Sequence, residues 1–168
     1  MLTPLHGGSV MKQLRIDTAG QEVVLPADSL AEQVVNIMEQ GVLVWGPDGT
    51  CLMFNNRVYQ MLEIGVDDLQ IGAERSQFRL SAVARGEMSA ETMDYSERLI
   101  RANQAYSFDR VLPSGRVVLT TGRPMRGGGT VVTFTDVTEA RQAQRALAQA
   151  KADAETAEQQ ALAVIAQE

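Results

Sequence analysis

Apolar residues recur along this chain with two different periods, and the changes between them predict a succession of helices and strands. In residues 29–40 the apolar positions are three and four residues apart behind the capping sequence Ser29-Leu30-Ala31-Glu32, which predicts a short amphipathic helix. Residues 42–45 and 50–54 are apolar runs on either side of the turn sequence Pro47-Asp48-Gly49. Together these two runs predict a β-hairpin.

Three helices are predicted between this hairpin and a second β region. Asn55 precedes apolar residues that fall on one side of a helix through Leu62, and we expect Asn55 to be the N-cap of that helix. Residues 78–85 predict a second helix, which Gly86 ends. We expect Ser89 to cap the third helix. The stripe expected on this third helix, at spacings of three and four, is Thr92, Tyr95, Leu99 and Ala102.

The second β region leads into a long helix. Residues 106–112 and 116–122 predict a second hairpin, and Gly127-Gly128-Gly129 turns the chain into a last strand. After Asp136 the composition changes to Ala, Gln, Glu, Lys and Arg, which favour helix. Asp136 and Glu139 have the spacing of a capping box, so we expect Asp136 to be the N-cap. Two strand regions separated by helices predict an α+β layer architecture.

Composition argues against several classes of function. The 168 residues carry a net charge of -6 and the 15 basic residues are scattered, so we expect no nucleic-acid partner. The only cysteine, Cys51, and the only histidine, His6, give neither a metal-ligand cluster nor a nucleophile–base pair. We therefore predict no metal site, no catalytic residue and no enzyme activity for this chain. The single cysteine cannot form an internal disulfide, which favours a reducing cytoplasm. No apolar run approaches the roughly 18 residues of a transmembrane helix, so we expect no membrane contact from this segment.

Four short motifs give the chain a family resemblance. They are Gly41-Val42-Leu43-Val44-Trp45-Gly46-Pro47-Asp48-Gly49, Phe54-Asn55-Asn56, Leu112-Pro113-Ser114-Gly115-Arg116 and Phe134-Thr135-Asp136-Val137-Thr138-Glu139. In this order they resemble a PAS domain, whose sheet often ends in Asp-x-Thr just before the helix that carries its signal. The resemblance implies a five-stranded antiparallel sheet with helices on one face, and a sensory role. The expected divisions are an N-terminal flank at 1–28, the PAS domain at 29–138 and a coiled-coil linker at 139–168.

Two cofactors known in relatives are not expected here. Flavin photoreceptors that resemble this chain carry a reactive cysteine at the start of a pocket helix, whereas Cys51 lies in a predicted strand. Haem-binding relatives use a histidine from a pocket helix, whereas His6 lies in the flank. We predict no cofactor, and a small apolar ligand is the alternative that stays open.

Nine residues are the candidates for lining a pocket between sheet and helices. The same residues can instead close-pack as core, which we favour because no convergent polar group marks the space. The candidates are Met53, Phe54, Tyr59, Leu62, Phe78, Val83, Phe108, Leu119 and Val132.

The final helix has a heptad seam. Its small or apolar residues alternate at spacings of three and four, which favours a parallel homodimer over a single alanine-rich helix. The seam is mostly alanine, so its association should be weaker than that of a leucine zipper. The seam residues are Ala140, Ala143, Leu147, Ala150, Ala154, Ala157, Ala161 and Val164.

These features together predict a cytoplasmic sensory module that passes a conformational change to a C-terminal output domain or signalling protein. The expected junction is Asp136, Val137, Thr138 and Glu139, where strand becomes helix. A sensor histidine kinase of a two-component system is the favoured parent, with a cyclic-dinucleotide enzyme next. The residues around Gln167 loosely resemble the start of a phosphoacceptor helix, with glutamine at the histidine position. A structural PAS module that binds proteins without a small ligand is the rival interpretation.

Overall fold

A five-stranded antiparallel sheet with the strand order β4-β3-β7-β6-β5 is the centre of this computed structural model, which describes residues 17–18, 21–22 and 30–167. The flank contributes two short strands, β1 Asp17–Thr18 and β2 Gln21–Glu22, which pair with each other. The remaining elements are α1 Leu30–Ile37, β3 Gly41–Trp45, β4 Cys51–Phe54, α2 Arg57–Leu62, α3 Arg75–Ala84, α4 Ala90–Arg101, β5 Tyr106–Val111, β6 Val117–Pro124, β7 Thr130–Asp136 and α5 Thr138–Ile165. This order confirms the predicted α+β fold with its five-stranded sheet and long final helix.

Strand alternation decides which face of the sheet is the core. Leu43 of β3 pairs with Val132 of β7, and the alternate residues Trp45 and Phe134 lie on the same face. These four side chains are at most 2 % exposed. Helix residues that pack against this face include Val58, Leu62 and Phe78. The core therefore lies on the helix-covered side of the sheet.

Asn55 is not the N-cap of α2, as the sequence predicted, but a buried residue before it. The N-cap of α2 is Asn56, without a side-chain cap hydrogen bond, and Asn55 is 1 % exposed. The Asn55 side chain accepts a hydrogen bond from the Val42 amide at 3.0 Å and donates to the carbonyls of Val35, at 2.8 Å, and Gln40, at 3.0 Å. Asn55 thus ties α1, the start of β3 and the approach to α2 together, which corrects the capping prediction.

Helix α1 presents its apolar residues to the outside. Leu30 is 76 % exposed, Val34 47 % and Ile37 79 %, although the helix itself forms as predicted. Ser29 and the side chain of Glu32, which form the predicted capping sequence, lie outside the described residues. The amphipathic face of α1 therefore contributes little to the described core.

Helix α4 begins where predicted but buries a different face. Ser89 accepts a hydrogen bond from the Thr92 amide at 3.0 Å, which confirms the predicted N-cap. Tyr95, expected on the inward stripe, is 53 % exposed, whereas Ser96 is fully buried. The buried side of α4 is polar because Ser96 meets an arginine of α3, an interaction that apolar periodicity cannot reveal.

The last strand and the last helix meet one residue later than expected. β7 ends at Asp136, and the N-cap of α5 is Val137, without a side-chain cap hydrogen bond. The predicted N-cap at Asp136 is therefore corrected to Val137. The described residues form two compact units that divide between Asp136 and Val137. No helix in the described ranges is long and apolar enough to cross a membrane.

Candidate functional site

A very small cavity with apolar and polar walls lies on the helix-covered face of the sheet. Its volume is about 10 Å³, close to the space that one water molecule needs. Phe78, Phe108 and Val132 from the predicted pocket border this cavity. At this cavity, a ligand larger than a water molecule requires a side chain to move.

The nine predicted pocket residues are only partly brought together. Phe54, Tyr59, Leu62, Phe78 and Val132 belong to or pack against the core, and Phe108 borders the cavity. Val83 is half-buried on α3. Met53 pairs with Val44 and Leu119 with Thr135, which places both on the opposite face of the sheet from Trp45 and Phe134. Met53 and Leu119 therefore do not line this interior.

Arg110 is the main feature of the cavity, and it is absent from the residues predicted to line a pocket. Tyr106, Phe108 and Arg110 alternate along β5 toward the core, and Arg110 is 2 % exposed. Its guanidinium carbon lies 5.8 Å from the ring centroid of Phe78 and 5.6 Å from that of Phe134. These are cation–π distances, so two aromatic side chains hold the cation in the core. The two-residue alternation after Tyr106 was the available signal.

Glu87 is the acidic residue that pairs with Arg110, but it also pairs with Arg85. Its side chain accepts hydrogen bonds from Arg85 Nε at 2.7 Å and from Arg85 Nη2 at 3.3 Å. Arg110 Nη1 lies 3.5 Å from Glu87 Oε2, an ion-pair distance, yet neither Nη1 nor Nε of Arg110 makes a hydrogen bond. Burial lowers the pKa of Arg110 to about 10, and the charge of Glu87 opposes that shift.

A second buried arginine lies beside the first on the same side of the sheet. Arg79 donates to Glu97 at 2.9 Å and to the hydroxyl of Ser96, and its guanidinium carbon is 5.9 Å from the ring centroid of Tyr106. Tyr106 lies directly over Gly122, where any Cβ would overlap the ring. Burial lowers the pKa of Arg79, while Tyr106 and Glu97 oppose the shift. Arg79 thus has hydrogen-bond partners, whereas Nε and Nη1 of Arg110 have none.

The surface next to these arginines carries an open cleft of about 760 Å³ between the β3–β4 turn, α3 and α4. Its walls contain four arginines and four acidic residues, among them Arg75 and Glu97, which form a pair at 3.3 Å. Positive and negative charges balance, so the cleft has no charge preference for a ligand.

The predicted signal junction is in contact with Arg116, from another part of the fold. Arg116, after the β5–β6 turn, lies with its Nε 3.4 Å from Asp136 Oδ2. The same guanidinium donates to the carbonyl of Gln60, at 2.7 Å, near the end of α2. Ser114 of this turn also donates to Glu63, the C-cap of α2, at 3.0 Å. The end of α2 is therefore linked through Arg116 to the end of β7.

Other candidates from the sequence have structural positions. Cys51 is buried in β4, and burial raises its pKa to about 12, so its thiol is not a nucleophile at neutral pH. Arg123 and Arg126 are exposed beside the glycine-rich turn. Within the described ranges no cluster of three or more His, Cys, Asp or Glu side chains could hold a metal ion.

Comparison with models of known protein families shows the family of this chain. A family model described as the PAS fold matches residues 35–145. The chain belongs to the PAS family. PAS domains are sensory, non-catalytic modules, and the motifs around Gly41–Trp45 and Asp136 in this PAS domain fall within the matched residues.

Solved structures resemble this PAS domain at low sequence identity. An RNA-binding light-oxygen-voltage receptor has a TM-score of 0.56 and 13 % identity, covering 84 % of this chain and 41 % of that chain. This chain thus spans less than half the length of that receptor. The PAS domain of Bordetella pertussis BvgS has a TM-score of 0.47 and 17 % identity, covering 72 % and 93 % of the two chains. A sensory box histidine kinase/response regulator from Burkholderia thailandensis has a TM-score of 0.49 and 14 % identity, and the match covers 76 % of this chain and 99 % of that chain. No curated protein sequence matches this chain.

Proposed function

We propose that this chain is a sensory PAS module that dimerises and passes a conformational signal through Asp136, Val137, Thr138 and Glu139 to a C-terminal output domain, in a sensor histidine kinase. The observation that carries the proposal is the position of Arg116. It contacts the end of α2, whose residues pack on the core, and also the last residue of β7. A change in the core that moves α2 therefore reaches the residue next to the N-cap of α5.

Homodimerisation through α5 is part of this proposal. The helix has 28 residues, about 42 Å at 1.5 Å per residue, and none of these residues is buried among the described parts of the chain. Leu147 is 73 % exposed and Val164 63 %, so the heptad seam is open to a partner helix. The exposed apolar face of α1 supports a second contact between protomers. Residues 29–138 form the PAS domain and residues 139–168 the coiled-coil linker in this arrangement, which acts in the cytoplasm.

Dimer dissociation should respond to charge on the seam. We expect the double substitution Ala150→Glu and Ala157→Glu to weaken dimerisation at least tenfold, because it places like charges at facing positions. Ala152→Glu is the matched control, since it adds the same side chain off the seam. Sedimentation equilibrium measures the dissociation constants. A monomeric parent chain, or equal effects of the seam and control substitutions, would contradict the α5 dimer.

The junction itself is tested by Asp136→Ala in the complete protein with its output domain. The ion pair with Arg116 is partly exposed, so its loss should cost about 1 kcal/mol or less of stability. We expect the basal output to become fixed, high or low, and to lose its response to stimulus while the sheet stays folded. Gln149→Ala on α5 is the control. Retention of a stimulus-dependent output in Asp136→Ala would disprove this route.

A structural PAS module without a small ligand is the second candidate function, and the small size of the interior cavity favours it. Native mass spectrometry of freshly purified protein distinguishes the two, because a sensor with an interior ligand retains mass beyond that of the chain. The structural module shows the mass of the oligomer alone.

A further inference from the structure

We propose that the cavity beside Arg110 binds a small monocarboxylate, whose carboxylate pairs with the Arg110 guanidinium and accepts a hydrogen bond from the Thr120 hydroxyl. This inference rests on the proposed sensory function and names the class of ligand that the interior takes. Acetate and propionate are the simplest members of the class.

Unsatisfied polar atoms at one cavity are the first argument. Nε and Nη1 of Arg110 and Oγ1 of Thr120 are buried without hydrogen-bond partners, and both residues border the cavity. Buried polar atoms in folded proteins nearly always have a partner. A carboxylate accepts from a guanidinium and from a hydroxyl at the same time, so one ligand group can satisfy donors of both side chains.

The protein's own carboxylates leave this role open. Glu87 gives both of its oxygens to Arg85, at 2.7 and 3.3 Å, and makes no hydrogen bond to Arg110 Nη1 or Nε. Arg85 also lies 4.0 Å from Asp68, so Glu87 is the carboxylate that Arg85 and Arg110 have in common. The residues that line the cavity include Arg79 and Arg110 and no acidic side chain, which favours an anion over a neutral ligand.

The remaining walls limit the size and polarity of the ligand. Trp45, Phe108 and Val132 are apolar neighbours that suit a short alkyl chain. The cavity of about 10 Å³ accepts roughly one oxygen atom as it stands. Met88 also borders the space, and its unbranched, flexible side chain can change rotamer to admit the rest of a small acid.

Trp45 gives a direct measurement, because it is the only tryptophan of the chain and lines the cavity. The fluorescence of the full chain is titrated with sodium propionate, and separately with propionamide and with sodium chloride at the same concentrations. We expect a saturable change with propionate alone. Propionamide matches propionate in shape without its charge, and chloride tests a general anion effect.

Three variants assign the binding to these residues. Arg110→Met should weaken propionate binding at least tenfold and Thr120→Val about threefold or more, whereas Arg123→Met, the same change at an exposed arginine, should leave it unchanged. Thr120→Val keeps the test decisive if Arg110→Met does not fold, because unchanged affinity in Thr120→Val overturns the site.

The outcomes also separate this inference from the sensory function. No saturable response to propionate, an equal response to propionamide or chloride, or full binding in Arg110→Met overturns the carboxylate site and leaves the signalling route of Asp136 standing. Arg110-dependent propionate binding, together with a complete protein whose output responds to propionate and loses that response in Asp136→Ala, supports both. The same binding with an output indifferent to Asp136→Ala keeps the site and overturns the proposed function.

Discussion

Replacing Glu87 with glutamine is expected to lower the free energy of unfolding by about 3–5 kcal/mol, because it leaves the Arg110 guanidinium buried without a counter-charge. Both side chains of this pair are 2 % exposed, so water cannot replace the lost carboxylate. Arg85 loses the same partner but is 30 % exposed and can be hydrated. Urea unfolding of the chain measures the effect.

The opposite substitution is expected to behave differently. Arg110→Met removes the buried charge, fills similar volume and leaves Glu87 with its two hydrogen bonds to Arg85, so stability should stay within about 1 kcal/mol or rise. Burial lowers the pKa of Arg110, because the charged guanidinium is less well solvated in the core than in water. The asymmetry between the two variants is the distinctive result.

The double variant Glu87→Gln and Arg110→Met provides the control. Removing Arg110 should recover most of the loss caused by Glu87→Gln, because no uncompensated cation remains. If Glu87→Gln costs as much in the Arg110→Met background as in the parent chain, the loss belongs to the Arg85–Glu87 pair instead. That result would remove Arg110 from the explanation.

Asn55→Ala is expected to lower the free energy of unfolding by about 2–4 kcal/mol. The substitution leaves the amide of Val42 and the carbonyls of Val35 and Gln40 without the partner they have in the fold. Because the stretch from α1 to the start of β3 loses its common partner, we also expect faster hydrogen exchange at the Val42 amide.

The neighbouring asparagine is the matched control for this prediction. Asn56 is exposed and makes no side-chain cap hydrogen bond, so Asn56→Ala should change stability by no more than about 0.5 kcal/mol. Asn55→Asp keeps an acceptor for Val42 but turns carboxylate oxygen toward two carbonyls, and should be at least as destabilising as alanine. Equal, small effects at both asparagines would show that Asn55 is not a structural tie.

Much of the fold followed from local pattern. The hairpin around Pro47-Asp48-Gly49, the cap at Ser89 and the change of composition after Asp136 each depend on residues close in sequence, and the structure has the expected elements there. Boundaries were less well predicted. The N-caps of α2 and α5 are each one residue later than expected, since helix ends depend on backbone geometry that several neighbouring residues can adopt.

The candidate site was predicted less completely than the fold. Phe78 and Val132 were correctly expected near the interior, whereas Met53 and Leu119 lie across the sheet because strand register decides the face of each side chain. No polar group is expected in the interior from the sequence, and the buried Arg110 corrects that expectation. An arginine in a strand is ordinarily expected at the surface. The only sign in the sequence that Arg110 faces the core is its two-residue spacing from Phe108 and Tyr106.

By itself the sequence determined the order of helices and strands, the PAS motifs and the heptad seam, because short-range spacing and composition fix these. Tertiary structure alone decided the roles of Asn55, Arg110 and Arg116. Their partners are distant in sequence: Val35 for Asn55, Glu87 for Arg110, and Gln60 and Asp136 for Arg116. A polar side chain can be buried, or can link two elements, only when the folded chain brings hydrogen-bonding or charged partners to it. These partners are far away in the sequence, so the local sequence pattern does not predict them.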